Sequence, residues 1–238
     1  MKKIIYAASA LLLTIGSISA SKAQAVSDRA VIPVAINLNQ VLRLHVWNGG
    51  NIEFVFNTID DYRNGLSGDD GTSSSANTAA TGPGAAASQA NAQGVPGGPN
   101  NFYNTYFTVS SSTDWSLDFG AEQATFVGTD NVANKLNLNN VGYQVFALGN
   151  HTFGAGNELG DPAGANAGVI ALAQYPVTII EKEAASTVSN AGDEDDNAFE
   201  IIWRCGTSEG TMNGTSLLDQ GVTPDRYVTN VMMELLPQ

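Results

Sequence analysis

Val34-Ala35-Ile36-Asn37-Leu38-Asn39-Gln40-Val41-Leu42-Arg43-Leu44-His45-Val46 carries the pattern that decides the fold. Its apolar residues fall mostly on even positions with polar residues between, and a period of two belongs to a strand with one face buried. The stretch reads as one half-buried strand, or as two consecutive strands broken near Asn39-Gln40. After the turn signal Asn48-Gly49-Gly50-Asn51, the apolar residues Ile52, Phe54 and Phe56 alternate with Glu53, Val55 and Asn57. The two runs are expected to pair as a hairpin. Asp60-Asp61-Tyr62-Arg63-Asn64-Gly65 is expected to turn, because Asn-Gly readily adopts positive φ.

The same period recurs along the chain. It is found at Phe107 and Val109, at Trp115, Leu117 and Phe119, and from Leu136 and Leu138 into Val141, Tyr143 and Val145. Val177-Thr178-Ile179-Ile180 is β-branched and short, and Phe199, Ile201 and Trp203 alternate with Glu200 and Arg204. A last strand places Tyr227, Val231, Met233 and Leu235 on one face. Residues 170–174 and 181–185 each suit one helical turn and no more. About eight to ten short strands between Gly, Asn, Asp and Pro clusters predict an all-β chain. The expected architecture is an antiparallel β-sandwich of Ig-like, Greek-key type.

Two loops interrupt the pattern. Residues 67–101 contain no Leu, Ile, Phe, Met, Trp or Tyr, so they cannot bury enough apolar surface to offset their ordering entropy. They read as a flexible Gly/Ser/Ala-rich insertion or as an exposed tip facing the environment. A second Gly-rich loop runs from Gly149 to Gly168.

The first 25 residues read as an export signal. Lys2 and Lys3 precede the apolar run 4–15, and Ala23-Gln24-Ala25 supplies a small-x-small cleavage site. The run is shorter than the roughly 20 apolar residues of a spanning helix. The expected mature chain is residues 26–238, one sandwich domain without a membrane span. It is exported to the cell surface or the extracellular space, with the periplasm as the alternative. Removing Lys2, Lys3 and Lys22 takes the formal charge from −13 to −16, which disfavours nucleic acid and anionic lipid as partners. The lone Cys205 excludes an intramolecular disulfide. It alternates with Phe199, Ile201 and Trp203, which marks it as a small buried hydrophobe.

Chemistry-bearing clusters are scarce. There are two histidines: His45 on the polar side of its strand and His151 in a Gly-rich loop. Clustered zinc ligands are absent, and neither catalytic residues nor an enzyme activity is expected. Asp193, Asp195 and Asn197 have the opening spacing of an oxygen-ligand calcium loop, but Ala198 and Arg204 stand where that loop needs Gly and Glu. Calcium through these residues, or through Asp69, Asp70 or Asp161, is weighed against a solvated acidic turn, which is preferred. Trp115 and Trp203 keep step with apolar neighbours and read as core. Trp47, between a strand and a turn, is the candidate for stacking on a sugar.

Together, the signal at 1–25, the early apolar runs closing on Asp61-Tyr62-Arg63-Asn64-Gly65, the strand opened by Ser111-Ser112-Thr113-Asp114-Trp115 and the final strand Tyr227 to Leu235 resemble secreted bacterial surface β-sandwich proteins of the fimbrial-subunit-like or adhesin-like kind. The resemblance implies a structural subunit of a pilus or filament, or an adhesin, that associates with itself or with other surface proteins. Assembly would proceed by β-strand addition, in which a neighbour's strand completes an open sheet edge. The candidate donor carries Ile32, Val34, Ile36 and Leu38. The alternative is a monomeric extracellular carbohydrate- or calcium-binding module.

Overall fold

The structure is a computed structural model that describes residues 33–48, 50–67, 103–160 and 168–238. The expected export segment 1–25, Ile32, the insertion beyond Ser67, and Asp69, Asp70 and Asp161 lie outside the described residues. The chain divides into two compact units, residues 1–38 and 39–238. In the first, residues 33–38 form no strand, and Val34, Ile36 and Leu38 are 82%, 81% and 89% exposed. Their alternation is therefore not the imprint of a buried face. The strand expected over 34–46 begins only at Leu42.

The second unit is an antiparallel β-sandwich. Its strands are β1 (Leu42–Asn48), β2 (Leu66–Ser67), β3 (Asn104–Ser111), β4 (Trp115–Ala121), β5 (Thr125–Gly128), β6 (Lys135–Asn137), β7 (Val141–Ala147), β8 (Ile170–Ala171), β9 (Val177–Ile180), β10 (Ala198–Cys205), β11 (Tyr227–Val228) and β12 (Val231–Pro237). One sheet has the order β1-β3-β10-β7-β8, with β2 also paired to β10. A second runs β12-β4-β9, and a third, small sheet runs β11-β5-β6. The consecutive strands β3 and β4 lie in different sheets, as do β9 and β10, so the chain crosses from one layer to the other and back.

The core lies between the layers. Phe119 from the second sheet meets Tyr143 and Trp203 of the first, with ring centroids 4.8 and 5.7 Å apart. Trp115 meets Phe199 edge-on at 5.9 Å. These offset and edge-to-face arrangements suit the ring quadrupoles better than a flat sandwich. Strand β10 is buried at every position. Its Phe199, Ile201, Trp203 and Cys205 enter the main core, and Ile202 joins Phe146 in a separate cluster. Burial pushes the Cys205 thiol up to about 12, so it stays protonated and inert as the small hydrophobe expected of it.

Four local expectations are corrected. Strand β1 does not form a hairpin with residues 52–56 but pairs with β3, Leu44 opposite Val109. The predicted turn at 60–65 is a six-residue helix, α1 (Ile59–Asn64). Thr58 Oγ1 accepts from the Asp61 N–H at 3.1 Å while Asp61 Oδ2 accepts from the Thr58 N–H at 2.9 Å, a reciprocal capping box. Gly65, at φ 77°, ends the helix where a side chain would collide with Gly206. The last strand is two: Tyr227 opposes Gly128 in the small sheet, and β12 starts afresh beside β4. Finally, residues 170–174 form no helical turn, since Ile170–Ala171 pairs with β7 as a strand, whereas residues 183–186 close a single hydrogen-bonded turn.

Candidate functional site

Two terminal strands of the sandwich come together. Strands β1 and β12 are each terminal in their sheets and they approach one another. The layers at this end enclose a cleft of about 690 Å³, walled by Leu44, Phe119, Trp203, Cys205, Leu217 and Met233. That size lies within the roughly 300–1,000 Å³ of ordinary ligand clefts. Two segments that belong to no strand border it, residues 50–56 and residues 222–226.

Residues 51–57 behave as a strand in burial but not in hydrogen bonding. Ile52, Phe54 and Phe56 are half-buried and pack on the core, while Glu53, Val55 and Asn57 are exposed. No main-chain to main-chain hydrogen bond is made by residues 50–56 among the described residues. Rings hold them instead: Phe54 lies on Tyr103 at 4.2 Å and Phe56 on Tyr62 at 5.3 Å. Tyr103, with φ 55°, presents its ring from a left-handed backbone just before β3, a conformation that costs a non-glycine residue about 1–3 kcal/mol. Glu53 Oε1 accepts from Arg226 Nε at 3.1 Å, and both side chains are more than half exposed. The Asn57 N–H donates to Asp61 Oδ2 at 2.9 Å and so ties the segment to α1.

The other sequence-derived candidates are scattered. Trp47 is 47% exposed, stacks on His45 with centroids 4.0 Å apart, and donates from Nε1 to Thr108 Oγ1 at 3.0 Å. Trp115 and Trp203 are buried in the core as expected. At the acidic turn, Asp193 Oδ1 accepts from the N–H groups of Asp195 and Asp196. Asn197 is fully buried; its Nδ2 donates to the Asn190 carbonyl at 3.3 Å, which leaves Oδ1 to accept from His151 Nδ1 at 3.0 Å. Asn197 is thus committed inward and does not converge with Asp193 and Asp195. Among the described residues no group of three or more His, Cys, Asp or Glu could hold a metal ion.

Sequence reasoning missed Gly206-Thr207-Ser208-Glu209-Gly210, a Gly-x-Ser-x-Gly run directly after β10. Ser208 has φ 56°, as a nucleophile at a strand-to-helix elbow would, but no helix follows it. The register also separates it from both histidines. His45 opposes Thr108, which opposes Ala198 at the start of β10, and His151 bonds to Asn197 there. Ser208 lies beyond the other end of that eight-residue strand, roughly 25 Å away at a strand's rise per residue. The glycines have a steric reason: a side chain on Gly210 would strike the Val169 carbonyl.

Sequence reasoning also missed the cover of the cleft. The alternation of Ile52, Phe54 and Phe56 was legible; that it faces the gap between layers was not. In comparisons with known proteins the chain matches no family model and none of the curated proteins.

Proposed function

We propose that this chain is a secreted or cell-surface structural protein, a pilus or filament subunit or an adhesin, that joins its own copies by β-strand addition. One observation carries the reading: Val34, Ile36 and Leu38 are more than four-fifths exposed, with one residue between each pair. Three apolar residues at a strand's period are costly to leave in water, each worth about 1.5–3 kcal/mol on burial. They suit a neighbour's sheet edge, where main-chain bonds supply affinity and alternate side chains supply fit. The terminal strands β1 and β12 supply such edges. The export signal read at 1–25 supports a location outside the cytoplasm.

The mature protein should form oligomers or filaments, visible by negative-stain microscopy and size-exclusion chromatography. Replacing Val34, Ile36 and Leu38 together by Ser should leave a folded monomer, because none of the three belongs to the core. A wild-type protein that stays monomeric from micromolar to millimolar concentration would overturn the reading.

A further inference from the structure

We propose that residues 51–57 are an internal placeholder, exchanged on assembly for residues 33–38 of a second copy. The inference rests on the strand-addition reading and names its acceptor: the inter-sheet cleft of the unit 39–238, rather than a bare outer edge. Among the described residues, two segments carry three apolar residues at a spacing of two without forming a strand: Val34, Ile36 and Leu38, and Ile52, Phe54 and Phe56. The first set is exposed and the second is packed over the cleft. The two sets share the two-residue spacing by which alternate side chains enter one cleft.

The segment in place is held loosely for its position. It makes no main-chain ladder bond, although the terminal strands β1 and β12 lie beside the same cleft. Side-chain packing and the exposed Glu53–Arg226 ion pair keep it there. A strand donated along either edge adds the main-chain hydrogen bonds that residues 51–57 do not make, and exchange proceeds where these outweigh the exposure of Ile52, Phe54 and Phe56. The ends of the segment suit a swing. One is tied to the capped helix α1 through Asp61, and the other follows Gly50, around which the space is open. A covered cleft also protects the monomer before assembly, since open apolar edges invite indiscriminate association.

The test adds a synthetic peptide of residues 31–39 to the mature monomer and follows two signals by NMR and hydrogen exchange. Exchange predicts new amide protection in β1 or β12 together with loss of the Phe54–Tyr103 contact. Glu53→Arg places like charges together and should raise the rate of peptide binding roughly two- to fivefold, the factor an exposed ion pair is worth. Glu53→Arg combined with Arg226→Glu should return it to the wild-type rate. Peptide binding with Phe54 still on Tyr103, or a rate unmoved by Glu53→Arg, would overturn the placeholder while leaving assembly standing. If neither the peptide nor intact copies associate, the assembly reading fails and the placeholder falls with it.

Discussion

The three tryptophans separate what the core needs from what the surface displays. Trp115 is fully buried, and Asn190 is clamped around its backbone. Asn190 Oδ1 accepts the Trp115 N–H at 3.1 Å, Asn190 Nδ2 donates to the Trp115 carbonyl at 2.9 Å, and the indole Nε1 donates to the Asn190 carbonyl at 2.8 Å. One side chain thus completes the start of β4 on the side away from β12, where β9 does not pair until Leu117. Trp115→Ala should cost about 3–5 kcal/mol in denaturant unfolding, the range for losing a large buried aromatic. Asn190→Ala should cost about 1–3 kcal/mol, because it orphans a buried N–H and C=O. Trp47→Ala should change stability by less than about 1 kcal/mol, as an exposed ring on a strand surface. It has a second use. A glycan that raises the melting temperature of the native protein, but not of Trp47→Ala, would favour the sugar-binding module over the assembling subunit.

At the scale of elements, two aspartates hold short structures that hydrophobic burial alone would not. Asp61 anchors α1 and residue 57; its carboxyl is held below the usual range chiefly by the Asn57 N–H, then by Thr58, against a contrary push from burial. Asp225 is held low chiefly by the Asp130 N–H, with Asn134 Nδ2 and the Asn131 N–H adding to it, and so ties the β5–β6 hairpin to β11. A carboxyl with a depressed folded-state pKa stabilises above its unfolded value near 4 and loses that contribution as pH falls through the folded value. Both elements should therefore loosen as pH drops from about 5 toward 3. Asp61→Asn and Asp225→Asn should flatten that acid limb in thermal melts, and Thr58→Ala should cost about 1 kcal/mol at neutral pH. An acid limb unchanged in both Asp variants would refute the assignment. The elements also show where sequence reading stops. Strands such as β4 and β10 were legible because the inward side chains Leu117, Phe119, Phe199 and Ile201 keep strict step. Pairing was not: β1 neighbours Ile52–Phe56 in sequence yet bonds across a long insertion to β3, a choice made by tertiary packing. The helix at 59–64 was hidden because its signal is a capping box rather than an apolar period. The same limit hid the cleft, whose walls come from residues as distant as Leu44 and Met233.

For the whole molecule, charge and shape act against each other. If residues 1–25 are removed, as the export reading expects, the chain is formally −16, so two copies repel at long range. The proposed donor segment offers nothing to offset this, since residues 33–39 carry no charge, and its proposed target is walled mostly by apolar side chains. Attraction is therefore short-ranged and repulsion long-ranged, and only the second is screened by salt. The Debye length falls from about 30 Å at 0.01 M to about 8 Å at 0.15 M, well inside the separation at which two such copies first sense each other. Raising sodium chloride across that range should speed assembly, on the order of tenfold for a pair this strongly like-charged, with little effect on the stability of the monomer. Light scattering against time at a fixed protein concentration measures it. Assembly that slows as salt rises would mean that the copies meet through complementary charged patches, and the apolar segment 33–38 would then not be what joins them.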